Sequence, residues 1–326
     1  AGFDQAKKEG VEHVFRMPPD FVLWINPLLK HLCPSMLVLI EAEMWPGLIC
    51  ECNRRKIPVL LVNGRITQKS VDRYRLFSFV FKWIAKNISF FSMRTKTDAD
   101  RVLGLGVDPE KVRVDGNIKF DVLVSGEDIS PLENQESIWV VFGSTRPGDE
   151  GVVMETIIKL SQEHPRLKFV IAPRHLERLR EVKELMVTYG IEFQLHSERL
   201  GSGNSRLVLL DRLGELNKYY AKACLAFVGG GFNPRFGGQN IIEPASYGLP
   251  VVFGKHMNNF EEEARLLVES GGGIQLNNPE ELHGVLNQLL ADQEERQRLG
   301  KKAWETVVKN RGAVNKTIEL ITRLAN

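Results

Sequence analysis

Short apolar runs rich in β-branched residues recur along almost the whole chain, with helical spacing between them. In the first third they are residues 36–42 (MLVLIEA), 57–63 (IPVLLVN), 88–95 (ISFFSMRT) and 111–116 (KVRVDG). A second series follows at 137–144 (SIWVVFGS), 166–174 (RLKFVIAPR), 205–211 (SRLVLLD), 223–230 (ACLAFVGG) and 248–254 (GLPVVFG). Runs so apolar suit strands covered on both faces. Strand–helix alternation then demands parallel sheets, because parallel neighbours need a crossover between them. The spacing predicts helices over 149–163, 176–189, 213–221 and 240–247, and a tail helical throughout 279–325. A polar stretch at 124–136 (VSGEDISPLENQE) reads as a linker. The expected organisation is α/β: two Rossmann-like, doubly wound domains, 1–128 and 129–326, facing across a cleft. The C-terminal helix is available to complete the first domain. In such sheets ligands bind at the carboxyl ends of strands.

Composition excludes more than it selects. The 43 Lys and Arg against 41 Asp and Glu leave a net charge of +2, which points to no particular partner. The four cysteines show no framework spacing, as expected in a reducing compartment. Cys50 and Cys52 would point to different sides of a helix, which favours packing over metal binding. No apolar run reaches the roughly 20 residues of a membrane span. The chain opens on AGFDQAKKEGVEHVF, which reads as the interior of a domain. Further sequence upstream, with room for a membrane anchor, is therefore expected.

The densest chemistry lies in FVGGGFNPRFGGQNIIEPASYGLPVVFG, residues 227–254. Five glycines, Gly229, Gly230, Gly231, Gly237 and Gly238, stand between a strand and Asn240, the predicted cap of the helix NIIEPASYG. Such a turn leaves backbone N–H groups unpaired, the helix dipole favours an anion, and glycine lets a phosphate or sugar approach. Glu243, in the first turn, can accept both hydroxyls of a ribose. Pro244 is tolerated there because first-turn N–H groups have no intrahelical partner. GSTRPGDE is again a strand end, a small-residue turn and a helix start. Its Ser144 and Thr145 offer hydroxyls to a phosphate and Arg146 a charge. Arg174 and His175 end the next strand, where a guanidinium suits a phosphate or carboxylate. Asp98 and Asp100 have the D-x-D spacing of some metal sites. With Thr97 as an N-cap they read instead as first-turn acids.

Residues 54–101 carry twelve basic side chains against Asp72, Asp98 and Asp100. Tyr74, Phe77, Phe79, Phe81 and Trp83 are interleaved. The segment 65–86 therefore suits an anionic membrane surface or lipid phosphates, with a solvated face over a core stripe as the alternative. Nucleic acid would also be drawn to it, but no base-reading element accompanies it.

Six segments in order, LVLIEAEMWPGLI, VNGRITQKS, VDGNIKFD, GSTRPGDE, APRH and the Gly-rich stretch, resemble the 3-deoxy-D-manno-octulosonic acid (Kdo) transferases. These are GT-B glycosyltransferases that move Kdo from CMP-Kdo to a lipid A precursor. The resemblance implies an inverting, metal-independent transfer, with no cofactor, at the cytoplasmic face of a bacterial inner membrane. It assigns CMP-Kdo to the second domain, at Ser144, Arg174, Gly229, Gly230, Gly231, Asn240 and Glu243, with Gly238 in the same loop. It assigns the acceptor to the first domain, at Glu41, Glu43, Trp45, Asn63 and Arg65. Gln239 and Arg146 depart from the family, which usually has His at both places. The family's catalytic base is a Glu upstream of Ala1, so poor transfer is expected of this chain alone, with Glu41 or Glu43 orienting the acceptor or serving as a poor stand-in base. The alternatives are a GT-B enzyme using a UDP-sugar and a nucleotide- or lipid-binding protein without turnover.

Overall fold

The structure is a computed structural model that describes residues 3, 6–7, 10–41, 43–121, 139–198 and 205–325. The stretch expected as a linker, 124–136, lies outside them. The chain divides into two compact units. Unit 1 comprises residues 1–121 and 311–326, and unit 2 comprises 122–310.

Among its described residues unit 1 has four parallel strands, β1 (Leu37–Ile40), β2 (Val59–Gly64), β3 (Phe90–Met93) and β4 (Val112–Val114), in that spatial order. All six residues of β2 are buried, as the unbroken run VLLVNG predicts for a central parallel strand. One face packs Leu39, Val59, Leu61 and Phe91 against Ile25, Ile49, Phe81 and Val102 from four helices. On the other face Leu60 and Val62 meet Leu320, Ile321 and Leu324 of the C-terminal helix Ala313–Ala325. Asp121 fixes that helix's start, accepting hydrogen bonds from the amides of Gly312 (2.6 Å) and Val314 (2.8 Å). Among the described strands of this unit the order contains no reversal.

Among its described residues unit 2 holds seven parallel strands: β5 (Trp139–Thr145), β6 (Lys168–Pro173), β7 (Gln194–Leu195), β8 (Leu207–Leu209), β9 (Ala223–Val228), β10 (Val251–Gly254) and β11 (Gly273–Leu276). Their order is β11-β10-β9-β5-β6-β8-β7. The winding reverses between β5 and β9, so the two strand ends there open a crevice at the topological switch point. The helices Asp149–Glu163, Leu179–Thr188 and Glu281–Ala291 cover one face through Val153, Ile157, Val182 and Leu286. Tyr219, Tyr220 and Leu249 cover the other. β7 and β11 escape sequence reading because they are edge strands of two and four residues with little apolar content.

The tail is three helices rather than one. Asp292 stops the first and caps the second, Gln293–Lys309, by accepting the Glu295 amide at 2.9 Å. The second break falls at Gly312, whose φ of 103° no helix accepts. A smaller correction concerns Asp98. The cap of the helix Lys96–Gly104 is Thr95, not Thr97: its hydroxyl accepts the Asp98 amide at 3.0 Å, and Thr97 is exposed. Asp98 is buried and also accepts the Ile66 amide at 2.9 Å, a structural role. Thr95→Ala should therefore cost about 1 kcal/mol in urea unfolding, while Thr97→Ala stays within about 0.5 kcal/mol of the parent. Equal effects would return the cap to Thr97.

Candidate active site

At the end of β5 the ladder to β6 shifts register between Gly143 and Thr145. Ser144 takes up the shift in the left-handed region, with φ of 54°. This turns Ser144 outward into a cavity of about 360 Å³ and sends Thr145 inward, where it is fully buried. The cavity is lined by Ser144, Pro173 and Arg174, Leu210 and Arg212–Asn217 without Glu215, Gln239 and Asn240, Glu243, and Phe260. These come from the carboxyl ends of β5, β6 and β8 and from the segments that follow β9 and β10. Its size falls in the range of small-ligand sites.

Glu243 is the half-buried acid of this cavity. Its helix spans only Ile242–Ser246, so it begins two residues after Asn240 and carries little dipole. Asn240 still organises the turn. Its Oδ1 accepts the Ile242 amide at 3.0 Å and its Nδ2 donates to Glu243 Oε1 at 3.1 Å. Burial pushes the Glu243 carboxyl above the ordinary range, opposed by the Asn240 hydrogen bond and the Arg174 charge. Arg174 donates from Nε to Gln239 Oε1 at 3.1 Å. Gln239 and Asn240 thus each hold one charged partner of the cavity.

Several expected residues lie elsewhere. The Thr145 hydroxyl is buried without a hydrogen-bond partner and does not reach the cavity. Arg146 lies over the Phe236 ring, 4.7 Å from its centroid, outside the lining. Burial first, then the charges of Arg174 and Arg178, push its pKa down. His175 faces Glu177 at 3.4 Å. The glycines answer to the chain more than to a ligand. A Cβ on Gly229 would stand 2.7 Å from the Thr145 Cα, and one on Gly231 2.8 Å from the Gly254 nitrogen. Gly230 and Gly238 have positive φ, 81° and 77°, and a 3.0 Å bond from the Gly238 amide to the Gly230 carbonyl closes the loop between them.

Arg212 and Asn217 were not found from sequence, although DRLGEL follows an apolar run and so sits at a strand's carboxyl end. Asp149 was also missed. It is buried, and one of its oxygens accepts two backbone N–H groups, from Arg146 and Gly230.

In unit 1, Glu41 follows β1 with φ of 62° and pairs with Lys119 at 2.9 Å. Burial would raise its pKa, but the Lys119 hydrogen bond and the charges of Lys119, Arg94 and Arg65 outweigh burial and hold it down. Glu43 is exposed, and Trp45 packs on the core beside it. Asn63 does not face solvent: it is buried, with Oδ1 accepting the Ile118 amide at 3.1 Å. Among the described residues no three His, Cys, Asp or Glu side chains gather as metal ligands.

A family profile described as 3-deoxy-D-manno-octulosonic-acid transferase (kdotransferase) matches residues 1–122. A 3-deoxy-D-manno-octulosonic acid transferase of Haemophilus influenzae is 29% identical over 98% of this chain and 77% of its own length. A bifunctional glycosyltransferase/methyltransferase of Fusobacterium nucleatum is 33% identical over 82% of this chain, which spans 43% of that protein. Among solved structures, the C-terminal CMP-Kdo binding domain of WaaA from Acinetobacter baumannii is 25% identical with a TM-score of 0.50, covering 53% of this chain and 90% of that domain. A glycosyltransferase from Rickettsia africae superposes with a TM-score of 0.61 at 13% identity, over 98% of this chain and 87% of its own, a likeness of fold alone. The fold is of the GT-B class, and the relatives matched over most of this chain are glycosyltransferases, which sets the class of the enzyme. Its residues 1–122 match the Kdo transferase family's domain, and 98% of the chain is similar to a Kdo transferase.

Proposed function

We propose that this chain transfers Kdo from CMP-Kdo to a lipid A precursor, with inversion and without a metal. The observation that carries the donor half is the cavity of unit 2, which joins a half-buried carboxylate, Glu243, to a guanidinium, Arg174, at the strand ends. Glu243 accepts the ribose hydroxyls, and Arg174 meets the phosphate as negative charge gathers on departing CMP. A single phosphate leaves no pyrophosphate for a metal to neutralise. The similarity to a CMP-Kdo binding domain supports cytidine over uridine. A general base must take the acceptor hydroxyl's proton. The ion pair with Lys119 makes Glu41 a weak one and leaves it to orient the acceptor.

For the acceptor's setting we propose a bilayer surface at the cytoplasmic face of the inner membrane. No described helix is long and apolar enough to cross a membrane. Phe77, Phe79 and Trp83 of residues 65–86 are exposed, whereas Phe81 packs in the core with the Tyr74 ring tilted against it, centroids 4.8 Å apart. The exposed aromatics stand among exposed Arg73, Arg75, Lys82 and Lys86. Sedimentation with vesicles should show binding to phosphatidylglycerol-containing bilayers and not to phosphatidylcholine alone, with at least a fivefold loss in Phe79→Ser/Trp83→Ser. Indifference to both changes removes this surface from the proposal.

Calorimetric titration tests the donor. CMP should bind and UDP should not. Binding of UDP in place of CMP favours a UDP-sugar enzyme, and a folded chain that binds neither nucleotide ends the reading.

A further inference from the structure

The two turns at the switch point do more than pass each other. The first, Ser144–Gly148, leads from β5 into the helix Asp149–Glu163, and the second, Gly229–Gly231, follows β9. Asp149 Oδ2 accepts the Arg146 amide at 2.8 Å and the Gly230 amide at 2.7 Å. The turns are in contact beneath it: a Cβ on Gly229 would lie 2.5 Å from that same oxygen. Two further backbone bonds converge on the spot. The Gly229 amide donates to the Gly143 carbonyl at 2.9 Å, and the Arg174 amide to the Thr145 carbonyl at 3.0 Å.

Resting on the donor-site reading above, we propose that Asp149 is the positioning residue of the cavity, its one oxygen fixing both turns and so the placement of Ser144, Gln239 and Asn240. On the β5 side, holding the Arg146 amide closes the turn that keeps Ser144 in its left-handed conformation. On the β9 side, Gly230 is held by its amide at Asp149 and by its carbonyl at the Gly238 amide, one residue before Gln239. Without an acceptor at Asp149, one buried and one half-buried N–H group lose their partner and both turns must relax to find another.

The surroundings keep this carboxylate for the backbone. Its neighbour Glu150 is buried too, but Arg178 takes Glu150 at 2.8 Å and Glu181 at 2.7 Å. Arg146 turns its guanidinium away, onto Phe236. Burial pushes the Asp149 carboxyl up to about 6, with Glu150 adding to the rise and the two amides and Arg178 opposing it. At neutral pH the group is therefore mostly ionised, and both bonds are charge-assisted.

The test uses the whole chain with CMP as probe, alongside amide hydrogen exchange. Asp149→Ala should weaken CMP binding at least tenfold and raise exchange at least tenfold in both 143–148 and 229–240, leaving β10 unchanged. Asp149→Asn, which retains a carbonyl oxygen for the two amides, should bind within threefold of the parent. If Asp149→Ala does not fold, Asp149→Ser is read in its place, since its short hydroxyl cannot span both turns. Exchange unchanged in either turn, parent-like CMP affinity in the folded variant, or equal loss in Asn and Ala overturns the proposal. If the parent itself binds no CMP, the donor reading falls and the exchange comparison alone decides the clamp.

Discussion

Glu243→Gln is expected to lower CMP affinity about a hundredfold, which corresponds to ~2.7 kcal/mol. A ribose offers two adjacent hydroxyls, and an ionised carboxylate accepts both at once. Each hydrogen bond to a charged group contributes about 1.5–3 kcal/mol, and an amide offers one acceptor and one donor where two acceptors are needed. The same change also disturbs Asn240, whose Nδ2 now donates to Glu243. Stability should fall little, because the variant removes a charge that burial disfavours and that Arg174 only partly offsets. Affinity should also decline on acidification at a higher pH than for an ordinary carboxylate, since the raised pKa lets Glu243 protonate early. Titration calorimetry of the variant and the parent, with melting curves for both, checks this. A loss below threefold in a folded variant would remove Glu243 from the ribose site.

The central strands and Glu243 were legible because both follow from local pattern. Buried parallel strands are unbroken apolar runs, and a strand-to-helix turn puts its first acid at a strand's carboxyl end. What was not legible depends on partners distant in sequence. Gly229 and Gly231 look like ligand-approach glycines until the chain segments against them, Thr145 and Gly254, are known. Asn63 looked free for an acceptor, but the Ile118 amide, 55 residues on, takes its side chain. Asp149 gives no signal in the sequence because its second donor is Gly230, 81 residues away. Thr95 and Thr97 are equally good caps on paper, and only the burial of Asp98 between other partners separates them.

Removing residues 311–326 should unfold unit 1 while leaving the sheet of unit 2 intact. These residues belong to unit 1 although the whole of unit 2 separates them from it in sequence. Leu60 and Val62 are buried on the face that Leu320, Ile321 and Leu324 cover, so the truncated sheet would present bare apolar surface to water. Each such side chain contributes roughly 1.5–3 kcal/mol on burial, and three or four of them approach the ~5–15 kcal/mol that holds a whole domain together. The helix is also anchored by two hydrogen bonds to Asp121, and truncation leaves that carboxylate without either amide. Hydrogen exchange should show β2 amides losing protection by more than a hundredfold in the truncated chain, with β5 amides unchanged. Leu320→Ala gives a graded version, costing about 2–5 kcal/mol through the cavity it leaves. Protection of β2 that survives the deletion would mean that the helix only rests on the sheet, and that the packing on the opposite face, around Ile25, Phe81 and Phe91, suffices to hold it.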